Sequence, residues 1–123
     1  MNWITKIEVE SAAIDSGRAA IECSVAHWRQ LLTATKREVR AHERWRVLAL
    51  GTYCALCERY RGADGGECEK CPVGKIKPCE KGLIWPNASL AFDRWMDGKI
   101  SCRQFRKKAQ PMLDLLESLL ETN

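Results

Sequence analysis

Histidine is nearly absent, with two in 123 residues: His27, which reads as a helix-surface or partly buried residue, and His42, which reads as part of a solvated face. A zinc nuclease or deaminase needs a histidine or carboxylate beside an open metal position, and little here supplies one. Phosphate-binding and nucleophile motifs are missing too: no GxxxxGK[ST], no GxGxxG after a strand, no GxSxG. No apolar run approaches a membrane span, and Met1-Asn2-Trp3-Ile4-Thr5-Lys6 is not the basic start of a targeting segment. The expectation is a cytoplasmic, non-enzymatic protein without a membrane partner. There is no internal repeat, and the length suits one domain, residues 1–123.

What is plentiful is cysteine, seven in all. In a cytosolic protein these are read as thiols and metal ligands, and the odd number agrees. Cys54-Ala-Leu-Cys57 and Cys68-Glu-Lys-Cys71 are two CxxC pairs, ten residues apart. One tight turn aims both sulfurs of a pair at a point, and two such turns complete a tetrahedron around a structural Zn²⁺. The spacer Arg61-Gly62-Ala63-Asp64-Gly65-Gly66 is rich in turn formers. Cys79 is a further thiol that can replace one of the second pair as fourth ligand. An iron–sulfur cluster also takes four thiolates, but the compact ferredoxin spacing is missing, so zinc is the metal expected. The HxE and PCxxC pairing of zinc deaminases is absent. Cys23 and Cys102 fall within helical patterns and read as small buried hydrophobes.

Apolar periodicity predicts helices on either side of this region. Ile14, Ile21, Val25, Trp28 and Leu32 form one stripe of a helix over about 11–32, with Gly17 a weak point near which it can break. Thr35 with Glu38 makes a capping box for a second, basic helix reaching about Trp45. Residues 3–9 fit a strand or a helix start equally. Beyond Pro86, Asn87 or Ser89 caps a short helix carrying Leu90, Phe92, Trp95 and Met96, with Gly98 as its stop. Ser101 and Gln104 form another box, opening a helix with Phe105, Ala109, Met112, Leu113, Leu116 and Leu120 on one side. Pro111 should kink or restart that helix. The fold class is therefore mainly α: N-terminal helices over 11–46, a loop-rich four-cysteine zinc-knuckle insertion over 53–81, and C-terminal helices over 87–121.

Three features suit binding. Arg37, Arg40 and Arg44, spaced three and four apart, share a face if the basic helix runs through them, and can meet phosphates. The plainer reading is a solvated outer side, with Val39 and Trp45 inside and Glu38 and Glu43 interrupting the charge. Lysines around the metal loops are a second cationic set. Of five tryptophans, Trp28 and Trp95 read as core, whereas Trp85, between Ile84 and Pro86 on an expected loop, suits a partially exposed stacking or interface position. The C-terminal leucine stripe is broad enough for a core and for homo-oligomerisation. The net charge of +4 falls to about +2 once four thiolates hold one Zn²⁺, so bulk charge does not declare a nucleic-acid binder.

Taken together, Cys54-Ala-Leu-Cys57-Glu-Arg-Tyr60, Cys68-Glu-Lys-Cys71-Pro72 and Cys79 resemble small cysteine-knuckle proteins of bacteriophage and prophage genomes, which read CxLCxxY, CxxCP and a further Cys. Phe92-Asp-Arg-Trp95 and Ala109-Gln-Pro-Met112-Leu-Asp-Leu-Leu116 fit the rest of that outline. The likeness spans about Trp45 to Leu120 and implies no particular activity. It does imply a setting: a phage accessory protein that binds and neutralises a host target, such as a defence protein or a nucleotide signal. A nucleic-acid-binding module using helix 36–46 is the alternative, and a zinc-dependent nuclease the third.

Overall fold

The computed structural model describes residues 1–50, 53–60 and 84–122. Six α-helices account for most of them, with no strand among the described residues: α1 Lys6–Asp15, α2 Gly17–Thr33, α3 Lys36–Arg40, α4 Ala55–Tyr60, α5 Ile84–Met96 and α6 Cys102–Thr122. A 3₁₀ turn covers Trp45–Val47. No described helix is long and apolar enough to cross a membrane.

The first helix begins where residues 3–9 left the choice open. Thr5 caps it, accepting the Glu8 N–H at 3.2 Å while its own N–H donates to the Glu8 carboxylate. The helix expected over 11–32 is broken next to Gly17, into α1 and α2. Ser16 is fully extended, and its hydroxyl accepts the Ala19 N–H at 2.9 Å to start α2 afresh. Gly17 is thus the first residue of α2 rather than a weak interior one; a Cβ there would stand 2.9 Å from the Tyr60 hydroxyl, so its smallness admits α4. The break also changes the register, leaving Ile14 83% exposed while Ile21, Val25, Trp28 and Leu32 are buried as the stripe requires.

Helix α2 buries this face against α6, and α1 and α4 pack on one another and on α2. The remaining strong pairing is α5 with α6. Its centre is aromatic: Trp95 stacks on Phe105 with centroids 4.7 Å apart, and Phe92 meets both edge-on. Such pairs add about 0.5–1.5 kcal/mol each to their burial. The Ser101–Gln104 box opens α6 as expected, with bonds of 2.9 and 3.1 Å. Phe105, Ala109, Met112, Leu113 and Leu116 are all buried. Pro111 does not restart the helix; it is exposed, so the Lys107 carbonyl deprived of its N–H partner sits on the wet side.

Helix α5 starts earlier than Asn87 or Ser89, at Ile84. Pro86 does not prevent this, because N–H groups of the first turn have no partner within the helix to lose. Gly98 ends it at φ +77°, donating to the Trp95 carbonyl, while the Lys99 N–H reaches back to the Arg94 carbonyl at 2.8 Å. That six-residue return wraps the helix end and needs a left-handed residue, which glycine supplies.

Candidate functional site

Helix α4 presents the first cysteine pair. Lys6 on α1 meets Glu58 at 2.7 Å, and the Arg59 guanidinium donates to the Ala13 carbonyl at 2.8 Å, so α4 is fastened along α1. Cys54 stands at its N-cap, its carbonyl accepting the Glu58 N–H. The Cys54 sulfur, 7% exposed, is met by the Cys57 thiol and by the backbone N–H groups of Cys57 and Leu56, with the Ser24 hydroxyl 3.8 Å away. The Cys57 hydrogen bond first, and these other donors after it, overcome burial and hold the Cys54 thiol down to about 6. That lowering favours the thiolate, the form that ligates metal. Cys23, by contrast, is pushed up to about 11 by burial, reinforced by Cys54 and Glu8.

Two cysteines at the start of one helix, one with its thiol lowered, fit half of a four-thiolate site. Cys68, Cys71 and Cys79 lie outside the described residues, as do Lys70, Lys75, Lys77 and Lys81. Among the described residues no three His, Cys, Asp or Glu side chains gather to hold a metal.

Sequence reasoning missed what braces this pair. Tyr53, directly before Cys54, is 3% exposed and lies between two histidines. His27 stacks on it at 5.8 Å and 23°, and His42 meets it edge-on at 5.8 Å; His42 in turn meets Trp3 at 5.9 Å. His27 is fully inside, where a surface or partly buried position was expected: α2 turns it to the core, and Nε2 donates to the Leu48 carbonyl at 2.6 Å. That bond fixes the proton on Nε2 and leaves Nδ1 buried without a partner. Burial lowers His27 to about 4, the Leu48 bond opposing and His42 adding to the shift. His42 accepts the Arg44 N–H on Nδ1 and is also lowered by burial.

A test follows from His27. Unfolded, it titrates near 6.5; folded, near 4, so between these values the unfolded chain takes a proton that the folded one refuses. Its contribution is intact above pH 6.5 and is lost as pH falls to 4, on the order of 3 kcal/mol in all. His27→Gln keeps a donor for Leu48 and removes the titration. Urea unfolding across pH 4–7 should therefore show a shallower acid loss in the variant; parallel pH profiles would sink this account.

The basic helix needs correction. α3 ends at Arg40, because the chain turns where the His42 ring accepts the Arg44 N–H, so Arg37, Arg40 and Arg44 do not share a helix face. Arg40 instead donates to the Met96 carbonyl at 2.8 Å and lies 5.9 Å over Trp45, with Arg46 on the same ring at 4.8 Å. Arg37 and Arg44 are exposed. Val39 is buried and Trp45 half-buried, as the plainer reading had it. Trp85 is not on a loop; it sits in the first turn of α5, half-buried against the core.

No family model, curated protein or solved structure matches this chain.

Proposed function

We propose that this chain is a non-catalytic binding protein, braced by a structural zinc on Cys54, Cys57, Cys68 and Cys71, with Cys79 the substitute fourth ligand. It acts as a phage accessory factor inside a host cell, capturing and neutralising a host target, such as a defence protein or a nucleotide signal. The observation that carries the reading is a set of exposed arginines and lysines with no carboxylate against them on an otherwise well-capped helical body. Cations that stabilise the fold are normally paired; cations left unpaired are available to something else. The cysteine pair supports the structural part, since its anionic sulfur is enclosed by N–H donors of its own helix rather than opened toward a cleft.

Native mass spectrometry of protein freshly purified from its host cell is the test. The expected species carries one zinc and a co-purified target, and incubation with nucleotides, RNA or DNA leaves those molecules intact. Zinc-dependent cleavage of any of them would make the chain an enzyme and remove this reading in favour of the nuclease.

A further inference from the structure

The fold assembles a cationic face from two segments far apart in the chain. Residues 34–46 and 93–108 hold eleven of the twenty lysines and arginines but four of the sixteen carboxylates, Glu38, Glu43, Asp93 and Asp97. That is a net +7, where the whole chain is +4 and the remainder therefore −3. Contacts set the two segments side by side. Arg40 reaches the Met96 carbonyl, and Arg106 donates to the Ala34 carbonyl at 3.3 Å. Lys36 Nζ lies 4.0 Å from the point a Cβ on Gly98 would occupy.

Pairing separates this face from the other described cations, save Arg59, which donates to the Ala13 carbonyl. Outside it, Lys6, Arg18 and Arg29 each meet a carboxylate at 2.7–3.0 Å. Among the described residues none of the eleven cations has a carboxylate within 4.0 Å. The acids nearby are otherwise engaged or apart: Glu38 serves the Thr35 cap and the Met1 ammonium at 3.4 Å. A net +7 gathered on adjoining segments of a small domain is self-repelling, a cost that a polyanion removes.

The arrangement also says what kind of anion. On α6, Arg103 and Lys107 stand one turn apart on the outer side. Lys108 leans to α5, sharing a shallow depression of about 210 Å³ with Arg94, while Arg106 leans to α3. The charges are spread along a surface rather than converging on an enclosed pocket, which suits repeated phosphates better than one nucleotide. Seven of the eleven are arginines, whose planar forks match phosphate oxygens in pairs. Trp45 holds Arg40 and Arg46 by cation–π contact at 5.9 and 4.8 Å, which presents both guanidinium groups beside the ring.

We propose that the joint face of α3, the turn after it, the end of α5 and the first half of α6 binds the phosphate backbone of nucleic acid, without base readout. This rests on the reading of the chain as a binding protein and names the class of its target.

The test is fluorescence anisotropy of the full chain with a labelled 24-base-pair duplex of mixed sequence, from 50 to 300 mM KCl. Affinity should fall with salt at a log–log slope of about −4 to −6, each phosphate contact contributing about 0.9. Arg103→Gln with Lys107→Gln, both exposed, should weaken binding about tenfold at 100 mM and flatten the slope by about two units. Arg18→Gln, off the face, should change neither. No binding at 50 mM, equal binding by the double variant, or equal binding of polyglutamate would each overturn the proposal. A host protein that co-purifies with a chain unable to bind duplex would do so while leaving the binding-protein reading intact. Cleavage of the duplex would defeat that reading instead.

Discussion

Replacing Phe105 with alanine is expected to lower the unfolding free energy by about 4 kcal/mol, enough to leave a domain of this size barely folded at 37 °C. Phe105 is 0% exposed and lies at the meeting of α5 and α6, stacked on Trp95 and edge-on to Phe92. Truncation opens a ring-sized void between helices that cannot close it, because the Ser101–Gln104 cap and the Gly98 return fix the connection between them. Both aromatic pairs are lost with the ring, and Arg106, the next residue, loses the register that takes it to Ala34. Phe105→Leu retains most of the buried area and should cost about 1–2 kcal/mol. Urea unfolding of both variants checks the argument; a loss below 2 kcal/mol for the alanine variant would show that the aromatic cluster is not the centre of the fold.

How much of this was legible depends on whether each feature was local. The face of α6, the stripe of α2 from Ile21 onward, the two capping boxes and the stop at Gly98 each depend on residues within a few positions, and all lie where the pattern put them. The start of α1 was left open because its buried face is built of Val9 and Ala13 while its larger residues, Ile7 and Ile14, point outward. The Thr5–Glu8 spacing would have marked its start. The basic helix was overextended for a different reason: spacing by three and four holds only while the helix lasts. A histidine ring capturing the Arg44 N–H leaves no periodic trace. His27 looked like a surface residue because nothing nearby reveals that the Leu48 carbonyl, 21 positions on, will meet it. The cationic face was split in the same way, half of it plain in residues 36–46 and half concealed in a helix read for its apolar side. Of the cysteine site, the spacing disclosed two residues whose setting can be described, and the N–H groups around Cys54 explain why that position takes a thiolate.

Removing the proposed zinc should have the largest effect of any change of conditions. If the metal sits on the four thiolates, its binding free energy is folding free energy for the segments that ligate it, Cys54 and Cys57 at the start of α4 among them. Loss of the metal leaves Cys54 as a buried anion, 7% exposed, satisfied only by its own helix turn and Ser24, or obliges it to take a proton and give up those donors. The disturbance would pass through Tyr53 to the stacked His27 and on to the core of α2. The expected cost is at least about 4 kcal/mol, a fall in Tm of about 15 °C on chelation, regained when zinc is restored. Cys54→Ser should reproduce the loss, because serine retains the shape but is not ionised and binds zinc poorly. Cys102→Ser, on the far side of the α5–α6 connection, should retain both metal and Tm. Calorimetry with and without a chelator, alongside zinc content, separates these outcomes. A metal-free chain that melts at the same temperature as the untreated protein would rule out zinc as a structural element, and would assign the lowered thiol of Cys54 to its helix position alone.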